Sequence, residues 1–235
     1  MKKALLILSI ATLLSLTSYA QWSIGMSGGG VYNHYDYDPQ YMEGYHYKGK
    51  FGFPAVDLPV NYQFNDWFSL SSGLSFHKKG YRMTGVSNKV SDTTYLCVVR
   101  NDSYLALPIL TKFSLPFGQS KLKASFDVGG YASYWILSNY QYIKSISGTG
   151  YLNCEVTNQP KEFRNDVDRR LEIGIVGGID VEYLICQDWT LFCATRCFYA
   201  LTPQQKDYQL MHFPSRNITI TGQLGIMYNF KLNQQ

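Results

Sequence analysis

The sequence predicts an all-β fold: an eight-stranded antiparallel up-and-down transmembrane β-barrel with short periplasmic turns and four long extracellular loops. Three observations carry this. Hydropathy alternates with a period of two in eight segments of roughly ten residues, the length a tilted membrane strand requires. The connections between the segments are alternately tight and long, as in barrels of this kind. The composition, with 20 Tyr, 20 Gly and 13 Phe against 16% charged residues, suits twisted, half-buried strands and lacks the profile of a helical protein.

The N-terminus is read first because it bounds the rest. Met1-Lys2-Lys3 is a short basic start, Ala4 to Leu16 an apolar run, and Ser18-Tyr19-Ala20 places small residues at −3 and −1 before Gln21. This is the pattern of a cleaved signal peptide over 1–20, and the apolar run is too short for a membrane-spanning helix. Residues 21–235 then form one barrel domain. Without Lys2 and Lys3 the formal charge falls from +4 to +2. That is no basic footprint for nucleic acid. With no long apolar run after residue 20, a membrane location requires a closed barrel, in which every strand's backbone groups find partners.

The last segment shows the alternation best. Ile218, Ile220, Leu224, Ile226, Tyr228 and Phe230 face one way, and Asn217, Thr219, Thr221, Gln223 and Asn229 the other. The same reading applies from Trp22 to Tyr32, Val56 to Phe64, Phe68 to Phe76, Leu105 to Phe113, Leu122 to Tyr134 and Leu171 to Tyr183. Leu191 to Tyr199 is the least regular, because Phe192 and Phe198 fall on the polar face. Asn65-Asp66, Pro116 to Lys121 and Gln187-Asp188 are tight turns. Residues 33–52, 82–103, 136–168 and 201–216 are long loops. Starting the first strand on the periplasmic side places these loops at the cell surface and both termini in the periplasm.

Alternation does not say which face points outward. A soluble, lipocalin-like barrel would turn its apolar face inward around a ligand. Two features argue for the opposite sense. The polar face carries Asp57, Lys112, Lys123, Asp127, Arg170, Glu172, Asp180, Glu182 and Arg196, acids and bases able to neutralise one another in a narrow lumen. Aromatic residues also mark two rims. Trp22, Phe64, Trp67, Phe113, Trp189, Tyr228 and Phe230 form one; Tyr32, Phe53, Phe76, Tyr104, Tyr134, Trp135 and Tyr199 form the other.

The chain end supplies the third argument. Gln223-Leu224-Gly225-Ile226-Met227-Tyr228-Asn229-Phe230 resembles the C-terminal assembly signal of outer-membrane proteins, with Gln223, Gly225, Tyr228 and Phe230 at its marked positions. A tail, Lys231 to Gln235, departs from that pattern. More broadly the chain resembles the PorT-type outer-membrane barrel family, within the wider set of porin-like and OmpA-like eight-stranded barrels. The likeness lies in Tyr104-Leu105-Ala106-Leu107-Pro108-Ile109-Leu110-Thr111-Lys112-Phe113, where Ala106 replaces an acid, and in Gly174 to Tyr183. The resemblance implies a barrel in the bacterial outer membrane. Its partners would be outer-membrane lipids, the barrel-assembly machinery, and an extracellular ligand or a secretion-system protein.

Candidate sites are sparse. Of five cysteines, Cys193 and Cys197 share a strand face too far apart to bridge; Cys97 and Cys154, in the second and third long loops, are the pair placed to form a disulfide. The first loop gathers Tyr35, Tyr37, Tyr41, Tyr45 and Tyr47 with His34, His46, Asp36, Asp38 and Glu43. It reads as a contact surface or a solvated loop, and its spacing fits no metal motif. His34, His77 and His212 are the histidines a rim-located acyltransferase or protease would use, but no spacing ties them to a nucleophile. No catalytic, cofactor or metal residue is assigned. The expectation is a non-enzymatic barrel, filled by side chains because eight strands leave little room inside, whose loops serve surface binding or envelope integrity.

Overall fold

The computed structural model describes residues 21–36, 45–88, 93–116, 121–148, 151–206 and 216–230. The expected signal peptide, Tyr37, Asp38, Tyr41 and Glu43 of the first loop, His212 and the C-terminal tail lie outside these residues. The described strands are β1 (Gln21–Asp36), β2 (Tyr45–Gln63), β3 (Phe68–Asn88), β4 (Thr93–Pro116), β5 (Leu122–Gly148), β6 (Tyr151–Pro160), β7 (Leu171–Cys186), β8 (Trp189–Ala200) and β9 (Arg216–Phe230). All pair antiparallel. No described helix is long and apolar enough to cross a membrane.

The expected eight-stranded barrel is present. β1 pairs with β2, β2 with β3, β3 with β4, β4 with β5, β5 with β7, β7 with β8, β8 with β9, and β9 returns to β1. The seam runs without a register break from Trp22–Phe230 to Asp36–Arg216. β6 is a ninth strand outside the ring. It pairs with the far half of β5, from Asn139–Pro160 to Gly148–Tyr151.

β6 corrects one expectation. Much of the sequence assigned to long loops is strand. β3 and β4 run on as a hairpin through Asn88 and Thr93, and β5 continues 14 residues past its pairing with β7, from Tyr134 to Gly148. Beyond the ring, β2, β3, β4, β5 and β6 form one continuous sheet. The opposite end carries the tight turns. At one of them the Asn65 Oδ1 accepts hydrogen bonds from the Trp67 and Phe68 amides (3.1 and 2.8 Å), the side-chain closure that makes Asn a turn residue.

The barrel is inside-out, as the charge pattern predicts. On β8, and on β7 from Leu171 to Val176 and from Ile179 to Tyr183, burial alternates residue by residue. Ile179 is 62% exposed and Leu224 65%, while the neighbouring Asp180 is 2% exposed. An apolar outer wall over a polar interior suits a lipid solvent and would be unstable in water. Aromatic contacts mark the turn end: Trp22 against Tyr62 (4.7 Å between ring centres), Trp67 against Phe113 (6.4 Å), and Tyr228 against both Trp189 and Phe230 (5.1 Å each). The assembly-signal residues fit the same geometry. Gln223 is buried in the lumen, Tyr228 and Phe230 stand in the girdle, and Gly225 lies under the Phe192 ring, where a Cβ would collide with it.

Tyr104 and Trp135 do not stand in the other rim. Both are buried inside the barrel, stacked at 5.9 Å, and Trp135 is 0% exposed. Strand parity puts Trp135 on the face of Ser133 and Tyr131, which is the inner one. The proposed Cys97–Cys154 bridge is also absent. All five cysteines are free thiols. Cys97 lies opposite Ile143 on one side of β5, and Cys154 opposite Ser145 on the other. Two strand spacings, about 10 Å, exceed the reach of a disulfide.

The thiols offer a test of the lipid-facing wall. Cys193 and Cys197 are exposed on the outer face of β8, whereas Cys154 is exposed on β6 beyond the ring. In lipid vesicles a charged maleimide is expected to label Cys154 and to spare Cys193 and Cys197 until the protein is unfolded. Equal labelling of all three in the folded state would show that the β8 face is not in lipid.

Candidate functional site

The interior is built in layers. The middle layer centres on Arg196 of β8, whose guanidinium reaches Asp127 of β5 (3.0 Å), Asp180 of β7 (3.3 Å) and Asp57 of β2 (3.4 Å). Lys112 of β4 bonds Asp180 at 2.7 Å and also Glu182. His77 of β3 stands 3.5 Å from Asp57 and edge-on to Phe198 (5.1 Å). Phe198, Leu110, Tyr131 and Val176 fill the space beside these charges. The two aromatics that break the alternation of β8, Phe192 and Phe198, are therefore lumen packing.

The next layer toward the long hairpins centres on Glu172 of β7. It accepts from Lys79 (2.6 Å), Tyr131 (3.0 Å), Ser133 (3.1 Å) and Asn217. Asn217 continues to Asn33, which accepts from Thr219 at 2.6 Å. The Lys79 ammonium also lies 4.3 Å from the centre of the Tyr104 ring.

A lid closes the hairpin end. Arg100 and Tyr35 both bond Asp102, at 3.0 and 2.8 Å. Gln204 reaches in from above to bond Tyr104 (2.7 Å), Tyr35 (3.1 Å) and Asp102 (3.2 Å). Residues 161–170 lie against residues 201–206 through the Asp168–Gln205 bridge and backbone bonds from Arg169 to Gln204 and from Lys206 to Val167. Lys161 pairs with Asp168 over the Trp135 ring, 4.6 Å from its centre. Partial burial holds the Lys161 pKa below the usual lysine value, against the opposing pull of its bond to Asp168. At the turn end the lumen opens into a vestibule of about 320 Å³ bordered by Lys112, Lys123, Glu182 and Asn61.

Most of the predicted charge network therefore meets. Asp57, Lys112, Asp127, Asp180, Glu182 and Arg196 join one cluster, Glu172 anchors the next, and Lys123 faces the vestibule. Arg170 is the exception. It sits one residue before β7, half-buried at the hairpin end, donating to the Trp135 carbonyl (3.0 Å) and lying over Phe163 (4.3 Å). Sequence reading missed Lys79, Arg100 and Asp102, which complete the upper layers. The histidines whose side chains are described, His34 and His77, do not gather into a site. His77 is buried in the lumen, while His34 sits out of phase with the inward-facing Asn33 and Tyr35 of β1. No cluster of metal-ligating residues occurs among the described residues.

An ion-paired interior within an apolar, aromatic-rimmed wall defines a transmembrane barrel of the bacterial outer membrane. The family model for the outer membrane protein beta-barrel domain matches residues 17–204, and the chain belongs to that family. Solved structures similar to it include Ail, the attachment invasion locus protein of Yersinia pestis, with 12% identity, covering 90% of this chain and 97% of that one at a TM-score of 0.39. Another is the Neisserial surface protein A, with 10% identity over 90% and 99% of the two chains and a TM-score of 0.41. The outer membrane protease OmpT of Escherichia coli shares 7% identity over 90% and 96%, with a TM-score of 0.31. No curated protein matches the chain.

Proposed function

We propose that this protein is a non-enzymatic barrel that acts at the cell surface through the sheet projecting beyond the ring, with its tight turns and termini in the periplasm. The observation that supports this is the closed interior. Ion pairs, aromatic rings and the 161–170/201–206 lid occupy the lumen, so function falls to the projecting strands. β6 is the part of that surface most open to a partner. It is exposed from Cys154 to Pro160 and ends the sheet order, leaving one edge without a described neighbour. Such an edge accepts an added strand.

Two measurements test the reading. In planar bilayers the protein is expected to show no steady open-channel current, and a large, stable conductance would overturn the closed interior. A photo-crosslinking residue at Thr157 in intact cells is expected to capture a discrete protein or glycan, whereas one at Ile175 captures lipid alone. Identical capture at both positions would overturn the surface role. A secretion-system protein captured at Thr157 would give the PorT-type resemblance a functional content.

A further inference from the structure

The outward face of the projecting sheet carries a built chemical sequence just above the lipid-facing wall. In the β3–β4 register, Phe76 pairs with Leu105 at the top of that wall. Two residues further along each strand come Lys78 and Ser103, then Gly80 and Asn101, then Arg82 and Val99. Lys48 of β2 lies directly opposite Arg82. Lys48, Lys78 and Arg82 are all exposed.

Lys50 joins them by crossing the strand. β2 departs from β3 between Gly49 and Ala55, and the Lys50 chain passes over Gly80 to bond Asn101. A residue larger than glycine at 80 would also press on the Arg100 carbonyl, so Gly80 keeps this path open. Lys50 feels the charges of Arg82 and Lys78. The acid that acts on it, Asp102, faces the lumen and is held by Arg100. Among the described residues no carboxylate forms an ion pair with any of the four cations. Like charges directly opposite across a strand pair destabilise a sheet, so Lys48 and Arg82 call for an anion between them.

The cations stand at one end of a longer groove. A cavity of about 230 Å³ lies between Lys50 and Lys78, and shares Lys78 and Asn101 with an adjoining groove of about 510 Å³. The far end of the groove is lined by Asn139, Asn158 and Gln159. Below it, Leu105, Leu107 and Tyr134 are exposed to lipid. Cations, side-chain amides and an apolar wall, in that arrangement, match phosphate, sugar hydroxyls and acyl chains.

We infer that this face binds a phosphorylated glycolipid of the outer leaflet: Lys48, Lys50, Lys78 and Arg82 take its phosphates, and Asn139 and Asn158 its sugar hydroxyls. A glycerophospholipid would use the cations and leave the amide end empty. The inference rests on the proposed orientation for the leaflet it names. Binding in micelles is independent of orientation, so the two readings fail separately.

The test is titration of the full-length folded protein in neutral detergent with diphosphoryl lipid A, its dephosphorylated form, and phosphatidylglycerol. The double variant K78Q/R82Q is expected to weaken diphosphoryl lipid A binding by about thirty-fold, about 2 kcal/mol. N139A/N158A is expected to weaken lipid A and leave phosphatidylglycerol unchanged. K144Q is the control, because Lys144 lies on the opposite face of the same sheet, out of phase with Asn139 and Gln141. Retention of the compact, SDS-resistant form on gels confirms folding of each variant. Equal affinity of wild type and K78Q/R82Q would overturn the site, as would an equal loss in K144Q. Equal affinity for phosphatidylglycerol, or displacement by inorganic phosphate at matched phosphate concentration, would overturn the glycolipid assignment.

Discussion

Replacing Arg196 with methionine is expected to lower the unfolding free energy by about 3–5 kcal/mol, the usual cost of removing one partner from a buried ion cluster. The guanidinium serves three carboxylates from three strands, Asp57, Asp127 and Asp180. Methionine fills much of the volume, so the loss is electrostatic: Asp127 is left buried without its cation, while Asp180 keeps Lys112 and Asp57 keeps His77. Urea unfolding in vesicles measures it. A further result separates charge from packing. The double variant R196M/D127N is expected to recover a large part of the stability, because the amide needs no counter-ion while Lys112 keeps its bonds to Asp180 and Glu182. A deficit equal to that of R196M alone would assign the effect to packing.

Glu172→Ala is expected to cost a similar amount, about 3–5 kcal/mol, by a different route. Here the acid is removed and Lys79 is left buried, 3% exposed, with Tyr131, Ser133 and Asn217 also losing an acceptor. Because Glu172 ties β3, β5 and β9 to β7, the variant should unfold more easily at the hairpin end while the Arg196 cluster persists. Glu172→Gln keeps an acceptor oxygen and is expected to lose less than the alanine variant. A ranking in which glutamine is as harmful as alanine would mean that the charge on Lys79, and not the hydrogen-bond network, sets the cost.

Much of the barrel was legible because its signal is local. A period of two needs only neighbouring residues, and Leu171 to Tyr183 shows it on both sides of Val176-Gly177. The same dependence explains the misses. From His77 to Arg82 the sequence reads His-Lys-Lys-Gly-Tyr-Arg, with no apolar face to alternate against polar, so the strand became invisible where it left the lipid. Lys79, Arg100 and Asp102 disappeared with it. β6 is exposed on both faces along Cys154–Pro160, and a strand with no buried side has no hydropathic alternation to read. Tyr104 and Trp135 were misplaced for another reason. Their aromatic character suggested a rim, although counting by twos from Ala106 and from Ser133 places both inside. Arg170 was placed in the lumen by extending a strand one residue too far. The disulfide failed because loop proximity was assumed where β5 in fact separates the two thiols. The cationic face above the wall was equally hidden: Lys48, Lys50, Lys78 and Arg82 come from two strands and become neighbours only through their register.

The seam between β1 and β9 joins the first described strand to the last. Every other ring contact is made between strands that are closer in the chain, so the molecule is a hairpin series that remains unsealed until the fifteen residues of β9, Arg216–Phe230, arrive. Until then β1 and β8 each present a bare row of amides and carbonyls, and the charged lumen stands open to lipid on that side. Closure is thus a late, all-or-nothing event with a long-range contact to form, and it will be slow relative to the hairpins that precede it. A chain truncated by even half of β9 should therefore accumulate as a complete but unsealed sheet held at its assembly site, unable to be released into the membrane.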